Sequence, residues 1–196
     1  MASRALQSWE VGESATRLEE LLGVHVRVAG ASRGRRWATR ELNAAIVVHV
    51  AAHQQLFCRD LHTEAAEALV DAAPPPYKPM LRRWYTDRRG LDGGNAWPET
   101  IARDFARFDL DVWAVARLRD RRTDGRLARL RQLNTWRNAI GHQDFGFSSE
   151  QQSLLAGTDI TLVWARRWRD ACTGLARTLD VVVGQHVHTV AGVAPW

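Results

Sequence analysis

Lysine is almost missing from this 196-residue chain: of its 27 basic residues, Lys78 alone is not an arginine. Cysteine is scarce as well, limited to Cys58 and Cys172. The two lie far apart inside apolar helical patterns, which argues against a disulfide framework and for buried thiols in a reducing compartment. No apolar run approaches the roughly 18 residues of a membrane span, and the opening MASRALQSWE lacks an apolar leader core. Neither a membrane span nor secretion is expected, and a cytoplasmic protein is. No segment alternates with period two, so a sheet is not expected, and neither an internal repeat nor a low-complexity tract occurs. The glycines of "RGLDGGNAWP" lack phosphate-loop spacing and read as a turn. No Ser-His-Asp arrangement can be argued.

What the chain has is arginine. Against 22 acidic residues the basic ones leave a net charge of +5 and a pI near 10.2. Clusters occur at Arg33, Arg35 and Arg36, at Arg82, Arg83, Arg88 and Arg89 around Trp84 and Tyr85, and from Arg117 to Arg131. Guanidinium groups bind phosphate bidentately and stack on bases, which makes an acidic polymer such as RNA a candidate partner. GC-rich coding, which favours arginine, and a solvated basic surface would give the same composition.

Helical periodicity dominates the rest. The spacing predicts a helix from about Ser3 to Leu22, then a loop through "GVHVRVAGASRGRR". A long helix from about Thr39 to Val70, apolar nearly all round between Ala44 and Ala52, is expected at the centre and is ended by "AAPPPYKP". A short helix follows over Pro79–Arg88. Pro98 opens the next, with Ile101, Phe105, Phe108, Val112 and Val115 inward, broken at "RRTDGR" near Thr123. Another carries Leu127, Leu130, Leu133, Trp136 and Ile140 and ends around Gly141. The last starts at Thr158 or Asp159 as cap and puts Trp164, Trp168, Ala171, Leu175, Leu179, Val182 and His186 on one side. The expected fold is one all-α domain over residues 1–196, a bundle of about five helices.

One residue breaks the pattern. With about 100° per residue and Leu130 at zero, Leu133, Trp136 and Ile140 fall at about 300°, 240° and 280°, and Arg137 at about 340°, inside the apolar arc. Asn134, Asn138 and His142 form a polar flank at about 40°, 80° and 120°. An unpaired buried guanidinium costs several kcal/mol, so Arg137 needs either a carboxylate, with Asp104 or Asp109 the candidates, or a site that uses its charge.

Arg137-Asn138-x-x-x-His142 resembles the Arg-x-x-x-x-His signature of the HEPN superfamily. "LNAAIVVHVAAHQQLFCRDL" and "WRNAIGHQDF" look most like its RiboL-PSP-HEPN group. The likeness extends over about Thr39 to Val190, although Gly141 before the histidine is a detail the family pattern does not fix. The resemblance implies a HEPN-like bundle with a long apolar central helix. It also implies a metal-independent endoribonuclease, a toxin or antiviral-defence effector, acting as a homodimer whose two motifs face each other, with an antitoxin protein as a candidate partner. In that chemistry the RNA 2′-OH attacks the adjacent phosphate. His142 shuttles protons, Arg137 clamps phosphoryl oxygens, and Asn138 orients the imidazole or touches the phosphate. Arg126, Arg129, Arg131 and Asn134, on the same helix, are candidate RNA contacts. No cofactor is implied.

His49 and His53 stand one turn apart, a spacing that suits zinc, but no His-Glu-x-x-His pattern or third ligand accompanies them. They share the stripe of Leu42, Ile46 and Leu56 and read as core or cleft-wall histidines. His186 and His188 are weaker candidates still. Two other readings remain: a catalytically silent HEPN-like RNA- or nucleotide-binding or protein-interaction module, or an unrelated helical interaction protein in which Arg137 is merely paired. Trp113, Trp136 and Ile140 exceed what one small bundle needs and suggest a dimer seam.

Overall fold

The computed structural model describes residues 1–29, 36–192 and 194–196. Its helices are α1 (Arg4–Val11), α2 (Glu13–Ala29), α3 (Arg36–Ala72), α4 (Lys78–Thr86), α5 (Gly90–Gly93), α6 (Pro98–Phe105), α7 (Val112–Arg119), α8 (Thr123–His142), α9 (Ser149–Leu155) and α10 (Leu162–Ala191), with 3-10 turns at Pro75–Tyr77 and Ala106–Phe108. No strand occurs among the described residues, and the chain is all-α. No described helix is long and apolar enough to cross a membrane. Arg33 and Arg35 lie outside the described residues.

More helices appear than the periodicity separates, because caps and turns cut continuous patterns. The first helix runs on past Leu22 to Ala29 and is split at Gly12, whose N–H closes α1 on the Ser8 carbonyl at 2.9 Å. Ser3 caps α1 by accepting from the Leu6 N–H at 3.0 Å, and its own N–H donates to the buried Asp180 of α10 at 3.0 Å. That pair fastens the start of the chain to its last helix.

The single helix expected after Pro98 is two. Asp109 turns the chain in the left-handed region at φ 61°, and Asp111 restarts α7 by accepting from the Ala114 N–H at 3.0 Å. The interruption resets the register. Ile101, Phe105, Phe108 and Val112 are buried, whereas Val115 is 38% exposed and Trp113 and Ala116 point inward instead. Trp113 donates to the Pro98 carbonyl at 2.7 Å and belongs to the core, so it is not surplus surface for a seam.

On α8 Leu127, Leu130 and Leu133 are buried while Trp136 and Ile140 are half-buried. The helix runs through Gly141 and stops at Gln143, left-handed at φ 54°. The cap of α10 is Thr161, later than Thr158 or Asp159. Thr158 is engaged elsewhere: its hydroxyl accepts from Trp136 Nε1 at 3.0 Å and donates to the Leu155 carbonyl at 2.7 Å.

α3 packs against α1, α2, α8 and α10, and its Ile46, Val47, Val50, Phe57, Cys58 and Leu61 join one core cluster with Trp168, Leu175 and Leu179 of α10. Ala45 and Ala52, within the stretch read as apolar all round, face solvent. Both thiols are free and buried, and burial pushes Cys58 up to about 12 and raises Cys172 as well, which leaves them unreactive.

Candidate functional site

Two asparagines on α8 hold a loop. Asn134 is buried and donates to the Ala96 carbonyl at 3.0 Å; one turn later Asn138 Oδ1 accepts from Asn95 Nδ2 at 2.6 Å. Behind the loop the buried Asp104 carboxylate accepts the N–H groups of Gly90 at 3.1 Å and Leu91 at 2.8 Å, which converts part of the expected glycine turn into the single helical turn α5. Arg89 closes the same corner with a two-point grip on Asp92, at 3.1 and 2.9 Å. Its Nη1 reaches Thr63 Oγ1 at 2.8 Å and His62 Nδ1 at 3.3 Å. Burial lowers the His62 pKa to about 4, partly opposed by the Asp104 carbonyl, 3.0 Å from Nε2. The ring is therefore neutral near pH 7, with Nε2 donating to that carbonyl and Nδ1 accepting from Arg89.

These contacts shape an open polar cleft of about 690 Å³ whose lining includes Arg89, Gly90, Asn95, Arg103, Arg137 and Asn138. Arg137 is half-buried there, and among the described residues its side chain makes one hydrogen bond, from Nη1 to Asn138 Oδ1 at 3.3 Å. Neither acid suggested as its partner pairs with it. Asp104 spends both oxygens on α5, and Asp109 sits exposed at the left-handed turn. Arg103 has no ion pair among the described residues either, and its guanidinium lies where a side chain on Gly90 would have to go. Three guanidinium groups thus line a cleft whose Asp92 already serves Arg89, and the excess positive charge suits an anion.

His142 is the exposed last residue of α8, about 140° round the helix from Arg137, and it does not line this cleft. Asn138 turns toward Asn95 and Arg137, so within one chain it makes no hydrogen bond to the imidazole. Past His142 the chain reaches Phe145 and Phe147, which with Trp136 and Asn43 line a second hollow of about 690 Å³.

The other candidate RNA contacts separate. Arg126 pairs with Asp120 and lies against Gly174, Arg131 pairs with Glu99, and Asn134 is buried. Arg129 is exposed with no ion pair among the described residues. No local spacing points to Arg89 and Arg103 as site residues, because only the packing of α5 on α6 and of α6 on α8 brings them beside Arg137.

His49 Nε2 lies 2.7 Å from the Ser14 carbonyl, and the buried His53 stacks on Trp9 at 4.0 Å. Burial, then the neighbouring His49 and Arg169, lower the His53 pKa to about 4, with the Ser8 backbone partly opposing. Among the described residues no three His, Cys, Asp or Glu side chains are grouped as metal ligands would be. Compared with protein families, curated proteins and solved structures, the chain matches none of them.

Proposed function

We propose that this chain is a metal-independent endoribonuclease of the HEPN type its motif resembles, a cytoplasmic toxin or antiviral-defence effector whose site is built by two copies. The observation that supports this best is Arg137, a half-buried guanidinium with no carboxylate partner among the described residues, facing an open cationic cleft five residues before an exposed histidine. A half-buried cation without an ion pair, beside the guanidinium groups of Arg89 and Arg103, leaves positive charge unbalanced, and a phosphate would supply the missing counter-charge.

In the reaction one imidazole takes the proton of the 2′-OH as the 2′-oxygen bonds to phosphorus. The bond from phosphorus to the 5′-oxygen breaks, and a second imidazole protonates that leaving oxygen. Arg137 stabilises the non-bridging oxygens of the pentacoordinate state. Within one chain Arg137 and His142 point about 140° apart, so a single copy is poorly arranged to bracket one phosphate, and a facing copy supplies the complementary group. Asn138 holds Arg137 rather than His142 and acts as a positioning residue.

Incubating the protein with labelled RNA in EDTA tests the reading. His142→Ala and Arg137→Ala should each lower the rate by about 10² to 10⁴ without unfolding the protein, and Arg137→Lys should rescue poorly because it lacks the planar fork. An Arg137→Ala protein that unfolds, beside a His142→Ala protein that cleaves normally, overturns it. The position of His142 outside the cleft favours one second reading, a silent module that binds RNA or nucleotide at Arg137 without turnover, for which binding without cleavage is the signature.

A further inference from the structure

α4 buries none of its nine residues fully, and it shows solvent its largest side chain. Its inner edge is Tyr85, half-buried with its ring edge-on to Phe108 at 4.9 Å. At about 100° per residue Met80, Arg83, Trp84 and Asp87 fall within a stripe about 100° wide on the outer side. Met80 is 62% exposed and Trp84 65%. With Arg88 and Arg107 they line a hollow of about 500 Å³.

The hollow is held in shape. Arg107 lays its guanidinium across the end of α4, Nη1 donating to the carbonyls of Trp84 at 3.1 Å, Tyr85 at 3.4 Å and Asp87 at 2.7 Å, and Nη2 to that of Arg88 at 3.0 Å. Arg88, left-handed at φ 52°, then turns the chain away. The charge there is one-sided. Arg83, Arg88 and Arg107 face Asp87 as the one acid of the lining, with the exposed Arg82 beside them, and only Arg83 pairs with it, at 3.6 Å.

We propose that α4 and Arg88 form a stacking platform for single-stranded nucleic acid, the indole of Trp84 taking a base and the arginines the flanking phosphates. An exposed flat ring among guanidinium groups matches a polymer that alternates planar bases with anions. A second copy of this face would bring like charges together. A lipid surface would gain little from the two apolar side chains of so short a helix. An acidic peptide would neutralise the arginines and leave the indole unused. Arg88, in the lining of the hollow, is followed directly by Arg89, which lines the Arg137 cleft. Binding on the platform does not depend on the cleavage reading, since it uses neither Arg137 nor His142.

Fluorescence anisotropy in EDTA tests it, with labelled oligothymidylate, which lacks the 2′-OH, and with oligouridylate in the His142→Ala background. Trp84→Ala should weaken binding about ten-fold or more, and Trp84→Phe should restore most of it by keeping a ring. Arg88→Ala should reduce the slope of log affinity against log salt by about 0.7, one phosphate contact on a single strand. Arg137→Ala should still bind in a Trp84-dependent way. If cleavage is never seen while that dependence holds, the nuclease reading fails and the platform stands. Unchanged binding by both Trp84→Ala and Arg88→Ala, or competition by polyglutamate or phosphatidylserine vesicles as strong as by oligonucleotide, overturns the platform.

Discussion

Asn95 Nδ2 donates to Asn138 Oδ1 at 2.6 Å, and the same oxygen receives Arg137 Nη1 at 3.3 Å. One amide on α8 therefore fixes both the loop of the cleft and the cation that faces it. Asn138→Ala leaves two donors without their acceptor and should cost about 1 kcal/mol of stability together with cleavage activity. Asn138→Asp is the sharper test. It keeps the acceptor and adds a charge beside Arg137, so the melting temperature should hold or rise while cleavage falls, because the carboxylate competes with phosphate for the guanidinium. An Asn138→Asp protein as active as the parent would show that Arg137 does not need a free charge.

The arginines before the motif should divide by their contacts. Arg126→Ala removes a partly buried ion pair with Asp120 and the cover over Gly174, so thermal stability should fall with little change in RNA affinity. Arg131→Ala, whose pair with Glu99 is more exposed, should do the same more weakly. Arg129→Ala should leave stability alone and lower RNA affinity at low salt. Anisotropy titrations alongside melting curves check all three, and a stable Arg126→Ala protein with lost RNA affinity would reverse the assignment.

That division follows from what a sequence can carry. Leu127, Leu130 and Leu133 are fully legible, since a period of 3.6 states which face is apolar and that face is buried. So is the all-α class. The breaks at Gly12 and Asp109 are not, because apolar residues continue on both sides of one irregular residue even where, as at Asp109, the register changes, and only local capping marks them, the Gly12 N–H closing α1 and Asp111 opening α7. The question raised by Arg137 was legible too. Whether Asp104 could pair with it was not, because the availability of Asp104 depends on α5, a turn that exists only because Asp104 accepts its first N–H groups. Arg103 joins the cleft through the same packing, which no local spacing announces.

Two buried histidines should make stability fall in mild acid. Burial holds His53 and His62 at about 4, against an ordinary value of 6.5. Above about pH 6.5 both rings are neutral in either state, and their contribution is fully present. Between about 6.5 and 4 the unfolded chain binds protons that the folded one refuses, so stability drops by up to about 1.4 kcal/mol per pH unit for each ring, levelling below. Asp120, held low chiefly by the Arg122 N–H and also by Arg126, loses its contribution only below that window. Urea midpoints from pH 7.5 to 4 should slope accordingly. His53→Phe, which keeps a ring on Trp9, should flatten the slope, and an unchanged slope would mean that His53 does not titrate as its burial requires.

Assembly decides whether the motif can work as proposed. One chain points Arg137 into a cleft that His142 does not line, the two lying about 140° apart round α8, so an isolated monomer is poorly arranged to bring both to one phosphate. A two-fold dimer avoids that by bringing a second imidazole to the first chain's Arg137. Light scattering at micromolar concentration should then give about twice the 22.1 kDa of the chain. Activity per chain should fall on dilution through the dimer dissociation constant, with the scattering mass falling in step. Ile140, half-buried on the motif helix, and Phe145, exposed just past His142, are apolar side chains available to such a contact. Ile140→Glu should leave the fold intact, since the position is only partly covered, and should shift the protein to monomer with loss of cleavage. A monomer that cleaves RNA at full rate would remove the composite site and require Arg137 and His142 to act within one chain.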